Sequence, residues 1–143
     1  MNEVLKVGEA LKLFKELLDQ GKSVPVRYTG TSMSPFLKEG DWMEVRKATP
    51  ENVKLGRVVL FECGGELTAH RICLRFRRNG ETWVRTRGDA EIYLDPPRPF
   101  SELLGVVCSP REKKWKASLK TWFLLFLSLV EYVKIRVQGR KLF

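Results

Sequence analysis

Short runs of β-forming residues that alternate with turn residues constrain the fold of this chain more than any other feature. The alternation extends from Val24 to Cys108. Asn79-Gly80 lies between two of the runs and is a strong hairpin signal, because both residues readily adopt the positive φ that tight hairpin turns need. The pattern predicts a mainly β, compact and coiled domain with few helices. The candidate strands are residues 24–28, 41–46, 57–62, 66–77, 81–87 and 103–108.

The N-terminal segment has a different periodicity. Residues 3–20 place apolar side chains, among them Phe14 and Leu18, on one stripe, which predicts an amphipathic helix packed on the domain. Gly21 is expected to end it. We therefore divide the chain into three parts. These are an N-terminal amphipathic helix at 1–22, a β-domain at 23–109, and a basic linker with an apolar C-terminal helix at 110–143.

The C-terminal part contains an uncharged run from Thr121 to Val130. A membrane-spanning helix needs about 20 apolar residues, so this run is too short to cross a bilayer. Trp122 and the basic flanks suit a helix that lies on a membrane surface, and residues 119–137 are the candidate contact. A helix packed on the domain or on a partner chain remains the alternative. The N-terminus has no apolar signal-peptide core, so we expect a protein in the cytoplasm or peripheral on the membrane.

The charge and the cysteine content limit which partners and cofactors are expected for this chain. The formal net charge is +9, which favours anionic partners. Along the strands, however, the basic residues alternate with apolar ones. This is the pattern of a strand with one face in solvent, and no nucleic-acid partner is therefore expected. Three cysteines without a C-x-x-C pair argue against a zinc site or a disulfide framework.

Two residues could together perform nucleophilic chemistry. Ser32 lies in the segment Gly-Thr-Ser-Met-Ser-Pro at 30–35, and His70 is the chain's only histidine. A serine hydroxyl needs an adjacent base at neutral pH, and an imidazole suits that task. A carboxylate on the other ring nitrogen would orient the base, and Asp89 and Asp95 are candidates. Each element alone is weak, because most such residues are structural.

As an ordered set, these elements resemble a known family. The order S-M-x-P, G-D, G-x-V-V-x-F, H-R-I and G-D-x5-D is similar to that of type I signal peptidases and the related LexA-type self-cleaving proteases. The H-R-I version resembles the archaeal and endoplasmic-reticulum branch, whose base is histidine. The resemblance covers residues 24–108. Its motifs stand at Ser32–Pro35, Gly40–Asp41, Gly56–Phe61, His70–Ile72 and Gly88–Asp95.

The resemblance implies roles for individual residues. Ser32 would be the nucleophile and His70 the general base. Asp95 is the first choice for the orienting carboxylate, while Asp89 is the second choice or a residue that holds its loop together. Met33 would line the substrate cleft and Pro35 would shape the turn after the nucleophile.

The oxyanion site departs from the family pattern. Gly30 stands where signal peptidases often carry a serine whose hydroxyl helps to bind the oxyanion. The oxyanion hole would therefore rest on the amide of Ser32, together with Thr31. Loss of one such donor costs on the order of 10²–10³ in rate.

The expected activity is that of a serine endopeptidase working through an acyl-enzyme, without a metal or organic cofactor. Its polypeptide substrate would bind as an added strand on a sheet edge, with small side chains just before the cut. One alternative is a non-catalytic module that kept the fold and binds a membrane or another protein. Another is a self-cleaving regulator, but the single N-terminal helix is too short for a DNA-reading domain. The oligomeric state is not predicted.

Overall fold

The computed structural model describes residues 7–108, and their side chains from residue 9 onward. One helix is followed by an antiparallel sheet of seven strands, so the mainly β expectation is confirmed. All six candidate strands overlap observed ones. The elements are α1 (Val7–Asp19), β1 (Val24–Arg27), β2 (Trp42–Lys47), β3 (Val58–Cys63), β4 (Glu66–Arg78), β5 (Glu81–Arg87), β6 (Arg98–Pro99), a 3-10 turn (Phe100–Glu102) and β7 (Leu103–Cys108).

The order of the strands in the sheet is β1-β2-β7-β3-β4-β5-β6. The last strand, β7, is therefore inserted between β2 and β3, where both of its edges are paired. An ideal Cβ on Gly105 of β7 would lie 2.4 Å from Val45 Cγ1. The glycine is thus required by the close approach of β2 at this point.

The short strand β6 was not predicted, because its residues lie in the segment Pro-Pro-Arg-Pro that we interpreted as a stiff loop. Arg98 and Pro99 pair with Val84 and Trp83 of β5. Proline cannot donate to a strand ladder and is therefore confined to edges such as this one.

Two apolar clusters form the core, and β3 contributes to both. Val58 and Leu60 belong to one cluster, while Val59 and Phe61 belong to the other. Successive side chains of a strand point to opposite faces, so the sheet is covered on both sides. The first cluster includes Phe14 and Leu18 of α1, and the helix therefore packs on the sheet.

β4 changes partners along its length and in this way positions the candidate site. It pairs with β3 from Glu66 to Arg71 and with β5 from Arg71 to Arg78. The hairpin between β4 and β5 turns at Asn79 and Gly80, which have φ of 50° and 77°, so the hairpin prediction is confirmed. His70 lies just before the point where β5 begins to pair.

Some sequence predictions lie outside the described residues. They are the start of the N-terminal helix before Val7, the basic linker and the apolar C-terminal helix, including the candidate membrane contact at 119–137. Between residues 7 and 108, no helix combines the length and the apolar character needed to cross a bilayer.

We expect Phe14→Ala to lower the free energy of unfolding by about 3–5 kcal/mol, because it removes an aromatic side chain from the first core cluster. Phe14 is 8% exposed, whereas its neighbour Leu13 is 49% exposed. Leu13→Ala is the matched control and should cost less than about 1 kcal/mol. Urea denaturation of both variants measures the difference, and equal effects would show that α1 does not contribute to the core.

Candidate active site

Ser32 lies in a tight turn whose neighbouring residues are anchored in the core. The amide of Ser34 donates to the carbonyl oxygen of Thr31, and the amide of Leu37 donates to that of Met33. Met33 has no exposed surface and Leu37 is 1% exposed. The side chain of Met33 thus lies in the core, although the resemblance implied a place in the substrate cleft. The buried anchors fix the backbone and leave Ser32 half-buried at the surface.

His70 reaches Ser32 from β4. Its Nε2 lies 3.2 Å from Ser32 Oγ, although the two residues are 38 positions apart in the chain. The imidazole is 6% exposed. Its ring meets that of Phe61 edge to face, with centroids 5.9 Å apart. Strand pairing with Val59 and this ring contact hold the imidazole in one orientation.

Asp95 completes a line of three hydrogen-bonded side chains. Its Oδ2 lies 2.6 Å from His70 Nδ1 and accepts a second hydrogen bond of 2.6 Å from Thr86 Oγ1. Its backbone is also held, because the amide of Asp95 donates to the carbonyl oxygen of Thr86 and Arg85 Nε donates to that of Asp95. Contacts of both the side chain and the main chain of Asp95 therefore hold its carboxylate in place.

The electrostatics of Asp95 favour its ionised form. Burial by itself would raise the pKa of this carboxyl group. The hydrogen bonds from His70 and Thr86, with the coulombic attraction of His70 and Arg98, outweigh burial and lower the pKa below its ordinary value of 3.8. An ionised carboxylate can only accept hydrogen bonds, so in the neutral form of His70 the proton is on Nδ1 and the lone pair of Nε2 faces Ser32.

Asp89 has a different partner. Both of its carboxylate oxygens accept hydrogen bonds from Arg71, at 2.8 Å and 2.7 Å. Arg71 is 2% exposed and also donates to the carbonyl oxygen of Gly56. Of the two aspartates that the sequence offered for the orienting role, Asp95 is the one that contacts His70. Asp89 anchors the loop after β5 to β4.

That loop also packs directly on the main chain of Ser32. The amide of Ala90 donates to the carbonyl oxygen of Ser32 at 2.8 Å. An ideal Cβ on Gly88 would lie 2.7 Å from the same oxygen, so only glycine permits this approach. The two residues of this Gly-Asp motif are therefore needed for different reasons. Gly88 permits the close backbone contact, and Asp89 forms the buried ion pair.

Gly30, Thr31 and Pro35 are the other residues of the motif around Ser32. Thr31 and Pro35 are exposed, and the peptide bond between Ser34 and Pro35 is cis. Gly30 has a φ of 120°, a conformation that favours glycine.

Sequence reasoning missed three residues that contact the site. Tyr28 Oη lies 3.1 Å from Ser32 Oγ, and Thr86 holds Asp95. Glu91 is the third, with Oε2 3.9 Å from His70 Nε2. No sequence signal marks them, because each reaches the site only through tertiary packing: Thr86 lies in β5, whereas Tyr28 and Glu91 lie in the loops after β1 and β5.

The site offers little to a metal ion. His70, Glu91 and Asp95 place potential ligand atoms within 4.8 Å of one another. Asp95 Oδ2, however, already accepts from His70 and Thr86, which leaves one nitrogen and one exposed carboxylate. Tetrahedral zinc sites use three or four protein ligands. The arrangement suits proton transfer from a serine hydroxyl instead.

We expect Asp89→Asn to lower the free energy of unfolding by about 3–5 kcal/mol, because it removes the charge that faces a buried guanidinium. Asp19→Asn is the matched control, since Asp19 pairs with Lys47 on the surface and should contribute less than about 1 kcal/mol. Urea denaturation compares the two. Equal, small losses would contradict the anchoring role of Asp89.

Asp95 should contribute a pH-dependent stability. Its pKa in the folded protein lies below the ordinary value of 3.8, so its contribution is complete above that value and is lost as the pH falls through the folded-state pKa. We therefore expect the difference in unfolding free energy between wild type and Asp95→Asn to shrink as the pH falls below about 5. Urea denaturation across this range measures it. If this difference in unfolding free energy stayed the same down to the most acid pH at which the protein can be measured, the lowered pKa of Asp95 would be contradicted.

Comparison with known proteins agrees with this geometry. The model of the family described as Peptidase S24-like matches residues 2–89, a stretch that contains Ser32 and His70 and ends before Asp95. No curated protein matches the chain. Because the family match covers more than half of the 143 residues, the chain belongs to the Peptidase S24-like family.

Proposed function

We propose that the protein is a serine endopeptidase in which Ser32 is the nucleophile, His70 the general base and Asp95 the orienting carboxylate. The observation that carries the proposal is the line Ser32 Oγ–His70 Nε2–His70 Nδ1–Asp95 Oδ2, with hydrogen-bonding distances of 3.2 Å and 2.6 Å. A neutral imidazole has one donor and one acceptor nitrogen, and in His70 the donor is satisfied by Asp95. The second nitrogen here faces a half-buried serine hydroxyl, which is the arrangement that nucleophilic catalysis requires.

The reaction follows from the hydrogen-bond directions. Ser32 gives its proton to His70 Nε2 while Oγ forms a bond to the substrate carbonyl carbon, and the carbonyl oxygen becomes an oxyanion. Asp95 stabilises the imidazolium, and its lowered pKa keeps it ionised throughout. His70 then protonates the leaving amine. A water molecule hydrolyses the resulting ester by the same proton path in reverse.

A groove next to the triad has the size and lining for an extended peptide. Its volume is about 630 Å³. Leu11 and Phe14 of α1 form one wall, Val26 and Tyr28 form another, and Leu67 and Ala69 of β4 face them. Tyr28 lines this groove, and its hydroxyl lies 3.1 Å from Ser32 Oγ, so the groove extends to a residue that contacts the proposed nucleophile.

Two strand edges line this groove and supply backbone partners. Within the described residues, β1 is an outer strand that pairs only with β2. The first part of β4, before Arg71, pairs with β3 but not with β5. A peptide between these edges could form main-chain hydrogen bonds as an added strand. The apolar lining would favour apolar side chains, and the resemblance implies small ones just before the cut.

The finer assignment is to a peptidase of signal-peptidase type, in the branch that uses histidine as base. Two features support it. The base is His70 rather than a lysine, and the arginine of H-R-I has a structural purpose, because Arg71 binds the aspartate of the later Gly-Asp motif. We further propose that the chain acts on polypeptides at or near a membrane surface, with residues 119–137 as the contact.

A serine-reactive fluorophosphonate tests the function without knowledge of the substrate. We expect the wild-type protein to gain one probe adduct on Ser32, and Ser32→Ala to gain none. His70→Ala should react about 10²–10⁴-fold more slowly, because the base is lost. Intact-mass and peptide mass spectrometry measure the rate and the position.

Ser34→Ala is the matched control for this experiment, since Ser34 is exposed and lies two residues from the proposed nucleophile. It should react like the wild type. A folded wild-type protein that remains unlabelled would identify the chain as a non-catalytic member of the family, and labelling retained in Ser32→Ala would refute the assignment of the nucleophile.

A further inference from the structure

The hydroxyl of Tyr28 lies beside Ser32 but has no role in the mechanism proposed above. Tyr28 follows β1, and its backbone is held on both sides: its amide donates to the carbonyl oxygen of Asp41, and its own carbonyl oxygen accepts from Gly40. The residue is 5% exposed and belongs to the first core cluster. Its hydroxyl therefore sits at a fixed point beside Ser32.

The directions of the hydrogen bonds around this hydroxyl can be derived. The amide of Met33 can only donate, so it gives its hydrogen to Tyr28 Oη, 3.1 Å away. Ser32 uses its own proton toward His70 Nε2 in the reactive state. The phenolic hydrogen of Tyr28 is then left to point at Ser32 Oγ, also 3.1 Å away.

The result is one continuous chain of donors with a single polarity. It runs from the Met33 amide through Tyr28, Ser32 and His70 to Asp95. Each hydrogen bond in such a chain polarises the next. The tyrosine hydroxyl is thus held as a donor aimed at the reacting oxygen, which a tyrosine with only a packing role would not need.

The backbone at Gly30 shows why this donor matters. Signal peptidases often carry a serine here, whose hydroxyl helps to bind the oxyanion, but this chain has no side chain at position 30. An ideal Cβ on Gly30 would lie 3.7 Å from Tyr28 Oη. The phenolic hydroxyl therefore lies next to the place from which a side chain at position 30 would act.

We infer that Tyr28 is a catalytic residue that supplies the side-chain donor to the oxyanion in place of a residue at position 30. This inference rests on the proposed function. When Ser32 Oγ bonds to the substrate carbonyl carbon, the π electrons move to the carbonyl oxygen and the serine proton moves to His70. Tyr28 keeps its proton. Its hydrogen bond turns from Oγ, now an ether-type oxygen of the tetrahedral intermediate and a weaker acceptor, to the neighbouring oxyanion on the same carbon.

Tyr28→Phe tests the inference with the fluorophosphonate probe, whose P=O oxygen takes the position of the oxyanion. We expect the maximal rate of inactivation, kinact, to fall by about 10²–10³-fold, the loss typical of one oxyanion donor. The probe concentration for half-maximal rate, KI, should not change, because the ring remains. Tyr93→Phe makes the same chemical change at a residue that is 72% exposed, and it should react like the wild type.

A second variant separates hydrogen-bond donation from packing, and it also serves if Tyr28→Phe does not fold. A tyrosine with one fluorine beside the hydroxyl, incorporated at position 28, keeps the shape of the side chain and makes the hydroxyl a stronger donor. Below neutral pH its kinact should exceed that of the wild type, whereas a packing role predicts no increase.

The outcomes distinguish the two proposals. If the wild type reacts at Ser32 while Tyr28→Phe keeps the wild-type kinact, or the fluorinated variant shows no increase, the role of Tyr28 is refuted and the proposed function stands. If the wild type does not react at Ser32 at all, both are refuted, since no oxyanion forms for Tyr28 to stabilise.

Discussion

The buried ion pair between Arg71 and Asp89 is the interaction on which the candidate site depends. A guanidinium that is 2% exposed needs charged and polar partners, and it finds them in Asp89 and in the carbonyl oxygen of Gly56. This pair attaches the loop after β5 to β4. The same loop carries Ala90, which binds the main chain of Ser32, and Asp95, which binds His70. One anchored loop thus sets the positions of both ends of the triad.

Rigid supports surround each of the three hydrogen-bonded side chains, which matters for the proposed reaction because catalysis depends on positions held before the substrate arrives. Buried side chains fix the turn of Ser32, strand pairing and an aromatic edge fix His70, and two hydrogen bonds together with a main-chain contact fix Asp95. Ser32 is half-buried and His70 is 6% exposed, so the proposed nucleophile reaches the surface while the proposed base is shielded from water. A low-dielectric setting strengthens the hydrogen bonds among them.

The partner change of β4 places the groove beside the candidate site. Among residues 7–108, the part of β4 before Arg71 pairs with β3 but not with β5, and His70 stands just before Arg71, where pairing with β5 begins. Tyr28 and Ala69 line the groove between this edge and β1. Since α1 packs on the same cluster and forms a wall of the groove, the helix that stabilises the core also shapes the groove proposed for substrate. The membership of the Peptidase S24-like family is consistent with a peptidase built in this way.

Sequence patterns by themselves determined the local structure and the candidates for chemistry. Short β-forming runs between turn residues predicted six strands and Asn79-Gly80 predicted the hairpin, because these signals depend on neighbours in the chain. The single histidine left one candidate base. The choice between Asp89 and Asp95, the contacts of Tyr28 and Glu91, and the groove required the tertiary structure. Each of these depends on strand order and loop packing, which join residues far apart in sequence. Insertion of β7 between β2 and β3 has no local signature, since it depends on pairing with strands far apart from it in sequence.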